Sequence, residues 1–272
     1  MSKQALHITD QTGQKLVFTK TPRRIISLVP SITHLLSEMG CADEVVGITR
    51  FCKLPKNWKK EKTIIGGTKD VKIDRIKALQ PDLILLNKEE NTKETFETLK
   101  KIAPVYVSDV TDLPSNEQFI LNLGQILNKT AVAQQIAADI QSNQLALKKI
   151  LPKTLPKTVY FIWQKPWMTI GGDTFIHQMM LQAGFLNIYA AQKRYPEVDI
   201  NALQQQNPEV ILLSSEPFPF KEKHRKELQK IFPTSQILLV EGEAFTWFGA
   251  YPKKAFSYFK SLQKQLHHAH KS

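Results

Sequence analysis

Residues 71–89, VKIDRIKALQPDLILLNKE, return 127 positions later as residues 198–216, VDINALQQQNPEVILLSSE, without a gap. Seven of the nineteen positions carry the same residue: Val71/Val198, Ile73/Ile200, Pro81/Pro208, Ile84/Ile211, Leu85/Leu212, Leu86/Leu213 and Glu89/Glu216. Average composition gives about one such match by chance. Buried strands share apolar residues for ordinary reasons, but a proline and a glutamate at matching places do not follow from burial. The repeat therefore constrains the chain to two similar units. Its 272 residues suffice for two lobes of roughly 110–130 residues each.

Between the copies, residues 130–151 (TAVAQQIAADIQSNQLALKKIL) read as one long helix. Thr130 follows the breaker-like Asn128-Lys129 as a natural N-cap, and Pro152 ends the run. Ala133, Ile136, Ala137, Ile140, Leu147 and Leu151 recur at three- and four-residue steps, giving one apolar face. A helix of about 20 residues spans about 30 Å, the width of a small domain. The expected organisation is an N-terminal α/β lobe over residues 1–112, a linking helical segment over 113–156 and a C-terminal α/β lobe over 157–272.

Each half alternates strand and helix. A hairpin over 5–18 turns at Thr12-Gly13, and strands are expected at 25–29, 45–48, 63–65, 83–86 and 105–107. Helices at 32–39, 73–79, 92–102 and 116–127 separate or follow them. The second half offers strands at 159–163, 210–213 and 237–240, with helices at 175–183, 200–206, 223–231 and 253–266. This spacing predicts an α/β fold of two lobes, each a mostly parallel sheet flanked by helices and joined by one long backbone helix.

In open parallel sheets the ligand site lies at the carboxyl ends of the strands. In the first half those ends carry Pro30-Ser31, Arg50-Phe51, Gly66-Gly67-Thr68-Lys69 and Asn87-Lys88. In the second they carry residues 163–167, Arg194-Tyr195-Pro196 and residues 245–249. Three of the four tryptophans, Trp163, Trp167 and Trp247, fall in or beside these loops, and aromatic rings suit a broad, rigid ligand. Trp163, inside an expected strand, suits a core position equally well.

The formal net charge of +12 invites a nucleic-acid reading. The lysines are scattered, however, and no zinc finger, RNA-binding signature or basic helix accompanies the run Lys53, Lys56, Lys59, Lys60, Lys62; a solvated surface is the preferred reading. No run of 18 apolar residues occurs, so no membrane span is expected. The start, MSKQALHITDQTGQ, has no h-region, so no signal peptide is expected in this chain. Cys41 and Cys52 make no metal motif; a disulfide between them is geometrically open, and two small buried residues is the simpler reading. The histidines His267, His268 and His270 near the end read as a polar terminus.

Nearly the whole chain resembles the helical-backbone class of ABC-importer substrate-binding proteins, whose members carry cobalamin, haem, ferric siderophores or metal ions. The resemblance rests on TDQTGQ (9–14), RIISLVPSITHLLSEMG (24–40), GGTKDVKIDRIKALQPDLILLN (66–87), AGFLN (183–187), RYPEVDINAL (194–203) and SSEPFPF (214–220), taken in order. It implies lobes joined by one long helix, with small hinge motion, and a ligand cleft lined by Ser31, Arg50, Phe51, Thr68, Lys69, Trp163, Trp167, Arg194, Tyr195, Trp247 and Phe248. The match is nearest to the cobalamin branch, where an aromatic stands at the place of Phe51 and a tryptophan at that of Trp247. It departs at Thr68, where a cobalamin binder offers tryptophan. Arg50, Lys69, Lys88, Lys165 and Arg194 would instead suit an anionic ferric chelate or haem propionates.

The same resemblance implies an ABC permease as partner, met by one acidic residue on each lobe. Glu89 and Glu216 look like that pair, with Glu90 an alternative in the first lobe. It also implies a monomer with no covalent cofactor, in the periplasm or another extracytoplasmic space. A cytosolic carrier or sensor of the same fold stays open. A bare-metal site is disfavoured, because His34 and His177 lie within helices and His7 and His224 form no set with them. An enzyme is disfavoured too, since G-x-G-x-x-G, G-x-S-x-G and a Walker loop are absent.

Overall fold

The computed structural model of the chain describes residues 5–269. It resolves into two compact units, one running to Ile140 and including Phe248–Tyr251, the other comprising Gln141–Trp247 and the chain from Pro252 onward.

The first unit opens with the antiparallel hairpin β1 (Leu6–Thr9) and β2 (Lys15–Phe18). The chain then gives β3 (Ile25–Ser27), α1 (Pro30–Glu38), β4 (Val45–Ile48), α2 (Trp58–Glu61) and β5 (Thr63–Ile64). After these come α3 (Ile73–Ala78), β6 (Leu83–Asn87), α4 (Lys93–Leu99), β7 (Val105–Ser108) and α5 (Leu113–Ile126). The sheet order is β5-β4-β3-β6-β7, parallel throughout. Every residue of β6 is buried, as its uninterrupted apolar run requires when helices cover both faces of a sheet. Ile26, Ile84, Leu86 and Val105 pack with Ile76 and Leu99 of the helices. Each such burial contributes about 1.5–3 kcal/mol.

The expected helix at mid-chain is present as α6 (Thr130–Lys148), which runs from the first unit into the second. Asn128 precedes it in the left-handed region at φ 55°, a conformation asparagine tolerates better than most residues. Ala133, Ile136, Ala137, Ile140 and Leu147 are buried as their spacing requires. The stripe is interrupted by Asn143 and Gln144, which bond Lys253 O at 3.1 Å and Gln182 Oε1 at 2.9 Å. The helix stops three residues short of the expected Leu151.

The second unit continues with β8 (Lys157–Phe161), α7 (Phe175–Gln182), β9 (Leu186–Asn187), α8 (Ile200–Gln206) and β10 (Val210–Ser214). Then follow α9 (Glu222–Ile231), β11 (Gln236–Val240), α10 (Gly242–Thr246) and α11 (Pro252–Ala269). The sheet order is β11-β10-β8-β9, again parallel. Read from the other side, β9-β8-β10-β11 has the topology of β4-β3-β6-β7, so the repeat seen in nineteen residues extends to four strands. It extends to the backbone as well. Gln80 and Asn207, 127 apart, both take positive φ (44° and 49°) before the repeated proline.

Several details differ from the sequence reading, among them the short helix α2, where no helix is expected. Strand β8 ends at Phe161, and Trp163 instead bridges Met168 across a tight turn. Residues 242–246, expected as loop, form the short helix α10. The two-residue strand β9 was not anticipated. The cysteines are free and buried, and burial pushes the Cys41 thiol up to about 11. In the histidine tail, His270 and the side chains of His267 and His268 lie outside the described residues. Among those described, no helix is long and apolar enough to cross a membrane.

The short segment Phe248–Tyr251 is held in the first unit by one buried amide. Asn116 Nδ2 donates to Gly249 O at 3.0 Å, and Gly249 N–H donates to Asn116 Oδ1 at 2.6 Å. Phe248 adds an edge contact to Phe119, with ring centroids 5.7 Å apart. Asn116→Ala removes both partners from backbone groups that water cannot reach. We expect it to cost about 2–4 kcal/mol in urea unfolding, one to two buried groups left unmet. A loss below about 0.5 kcal/mol would contradict this account of the segment.

Candidate functional site

Because all strands of the first sheet are parallel, Ser31, Arg50, Phe51, Thr68, Lys69 and Glu89 stand beyond the same sheet edge, at the carboxyl ends of the strands. Ser31 is buried in the first turn of α1. The Arg50 guanidinium forms a two-pronged pair with Asp70, at 2.8 and 3.0 Å, and lies 4.9 Å from the Phe51 ring centre. That guanidinium, chiefly by hydrogen bonding, holds the Asp70 carboxyl below the usual carboxylate range. Gly67 makes the arrangement possible: a Cβ there would collide with Asp70 Oδ1 and reach 2.9 Å from the Phe51 ring. Phe51 is left 47% exposed, unusual for a ring of its size.

The turn that carries Thr68 and Lys69 is tied to the next loop by Asn91, whose Nδ2 donates to Thr68 O at 2.7 Å. Asn87 closes the end of β6, its Oδ1 accepting from the N–H groups of Glu89 and Glu90. Lys88 pairs with Asp109 at 2.6 Å. Glu89 and Glu90 are exposed beyond this braced turn. Phe248, of the same group of site residues, is buried in this unit.

In the second unit the turn after β8 places Trp163 and Trp167 on an aromatic cluster. Trp163 packs edge-on to Phe218 at 5.6 Å, while Trp167 stacks on Phe220 at 5.8 Å and leans on Phe161 at 4.8 Å. The segment bearing Arg194 and Tyr195 is hydrogen-bonded alongside, through Thr169 N–H to Pro196 O at 3.0 Å and Val198 N–H to Trp167 O at 2.8 Å. Arg194 lies over the Tyr195 ring at 5.3 Å. These four expected site residues are therefore brought together, and Trp163 presents 41% of its surface to solvent. Phe218, which supports it, was missed; its place in SSEPFPF directly after a strand was the available signal.

Trp247 differs. It is only 6% exposed, and its indole N–H donates to Glu216 Oε1 at 3.1 Å. Glu216, expected to project like Glu89, is half-buried and also accepts from Thr246 Oγ1 at 2.8 Å. Among the described residues no group of three His, Cys, Asp or Glu side chains is arranged to hold a metal ion.

The periplasmic binding protein family matches residues 25–235, more than half of the chain. The chain belongs to the periplasmic binding protein family. A vitamin B12-binding protein of Vibrio campbellii is 29% identical over 196 residues, covering 71% of this chain and 70% of its own length. Among solved structures, a siderophore-binding protein holding two acinetobactin molecules and ferric iron superposes with a TM-score of 0.78 at 15% identity, covering 94% of this chain and 96% of its own. The haem-binding protein of Vibrio cholerae superposes with a TM-score of 0.75 at 17% identity, covering 88% and 98%. These likenesses to solved structures place this periplasmic binding protein in the same fold.

The aromatic cluster of this binding protein also contains a titratable group. His224 packs edge-on to Phe218 and Phe220, at 5.3 and 5.5 Å, and its Nδ1 accepts from Lys221 N–H at 2.8 Å at the start of α9. Burial, assisted by Lys223 and Lys221, holds its imidazole below the ordinary range. His177 is lowered by burial too. Between the folded and unfolded pKa values the unfolded chain binds more protons. The stabilisation is thus complete above the unfolded value near about 6.5 and is lost as pH falls through the lower, folded value. Urea midpoints should fall between pH 7 and 5.5, and His224→Gln should flatten part of that slope; an unaltered slope would exclude His224 as its source.

Proposed function

We propose that this chain is the substrate-binding protein of an ABC-type importer, capturing cobalamin or a related corrinoid and delivering it to a permease. The observation that carries the reading is the character of the strand-end rims. Two large aromatic side chains stand exposed there, Phe51 and Trp163, and two cations nominated for an anionic ligand, Arg50 and Lys88, are committed to Asp70 and Asp109. Flat apolar rings beside neutralised cations suit a broad macrocycle with neutral amide arms better than a highly charged chelate. The sequence likeness to a vitamin B12-binding protein supports the same ligand class.

A second reading, a ferric siderophore or haem, is favoured by Lys69 and Lys165, exposed rim lysines that make no ion pair within the described residues. A cytosolic carrier or sensor is a third possibility; the family's kind favours an extracytoplasmic importer component that works as a monomer and catalyses no reaction. Glu89, projecting from a turn that Asn87 braces, is the docking carboxylate of the first unit, and Glu216 its counterpart in the second. Rim charges of this kind steer docking and set register more than they add affinity.

Titration of cyanocobalamin against intrinsic tryptophan fluorescence tests the reading. Saturable binding is expected, weakened about tenfold or more by Phe51→Ala, Trp163→Ala or Trp247→Ala, on the order of 1.4 kcal/mol each. Glu89→Ala should keep affinity within about twofold, below about 0.4 kcal/mol, while cellular uptake of labelled cyanocobalamin falls. Binding indifferent to all three aromatic changes would remove these residues from the site.

A further inference from the structure

Glu89 and Glu216 occupy the same place in the two copies of the repeat, and their backbones behave alike. The N–H of Glu89 is held by Asn87 Oδ1 at 3.0 Å, and that of Glu216 by Ser214 Oγ at 3.2 Å. Their surroundings then diverge. Glu89 is exposed, whereas Glu216 Oε1 receives both Thr246 Oγ1–H and Trp247 Nε1–H. These donors stand at the end of α10 and at its C-cap.

The other end of α10 rests on the same residue. A Cβ on Gly242 would stand 2.6 Å from Glu216 Cγ and 3.0 Å from Glu216 N, so only glycine allows the approach. Gly242 N–H donates to Ser215 Oγ at 2.8 Å, and Tyr160 O–H donates to Ser214 Oγ at 2.9 Å beneath it. A helix of five residues makes too few internal hydrogen bonds to fix its own direction. Its orientation comes from what it touches, and at both ends it touches Glu216.

We propose that Glu216 is the positioning residue for Trp247: its carboxylate, through the charge-assisted bond from the indole N–H, sets the ring for the ligand. The proposal rests on the reading of Trp247 as a ligand contact and gives the second-unit carboxylate a role that Glu89 does not share. A change at Glu216 therefore reaches the ligand through the indole, whatever it does to docking.

The test has two arms. In ¹⁵N-labelled protein the Trp247 indole resonance is identified by its loss in Trp247→Phe. Glu216→Ala should shift that resonance and speed its exchange with solvent about tenfold or more, and Glu216→Gln, which retains a carbonyl acceptor, should fall between. In the second arm, Glu216→Gln should weaken cyanocobalamin about threefold or more in the otherwise native chain, and about twofold or less on a Trp247→Phe background. An indole resonance unmoved by Glu216→Ala, or equal losses on both backgrounds, overturns the proposal. Should Glu216→Ala fail to fold, Glu216→Gln decides the first arm, an unmoved resonance again overturning it. If the native chain takes up no cyanocobalamin, the corrinoid reading fails while the indole resonance still decides the anchor.

Discussion

A carboxylate one residue after the repeated proline locks each sheet. Asp82 accepts from the N–H groups of Arg23 and Arg24, both at 2.7 Å, and returns its own N–H to Arg24 O at 3.0 Å. In the second copy Glu209 accepts from Lys157 N–H at 2.7 Å and returns its N–H to Lys157 O at 2.9 Å. These bonds pin the start of β6 against β3, and of β10 against β8, in the same register: Leu83 faces Ile25, and Val210 faces Thr158. A one-residue slip would reverse the side chains of strands buried along their whole length. The carboxyl ends, where the loops that matter begin, are placed by this lock.

From the pinned strands the rims follow. Asn87 and Ser214 are buried polar residues at the last position of β6 and β10, and each turns the chain outward by accepting the N–H two residues on. Two cations of the first rim are then paired from within, Asp70 on Arg50 and Asp109 on Lys88. The second is packed with rings, from Trp163 through Phe218 and Phe220 to Trp167. A basic protein thus presents exposed rings beside the cations of its sheet rims, which the net charge alone would not suggest.

The strands, the long helix and the pairing of the two halves were legible because each depends on local pattern: apolar runs bounded by glycine or proline, apolar residues at helical steps, and a repeat that needs no alignment gap. What was not legible depends on contacts distant in sequence. Residues 245–249 read as an open loop because a five-residue helix has no periodicity to display, and the buried Trp247 bonds Glu216, 31 residues earlier. Phe248 joins the first unit through Asn116, whose bonds to Gly249 span 133 residues. Likewise Trp163 lies after a strand rather than in it, because its turn pairs with Met168.

The proposed ligand class, a broad metal chelate with a corrinoid preferred, is open to direct competition. Native mass spectrometry of the protein mixed with equal concentrations of cyanocobalamin, haemin and a ferric hydroxamate siderophore tests it most directly. A single added mass is expected, that of one cyanocobalamin, reduced in Phe51→Ala and Trp163→Ala. Retention of haemin or the ferric chelate in preference would contradict the corrinoid assignment, and retention of none of the three would contradict the chelate reading as a whole.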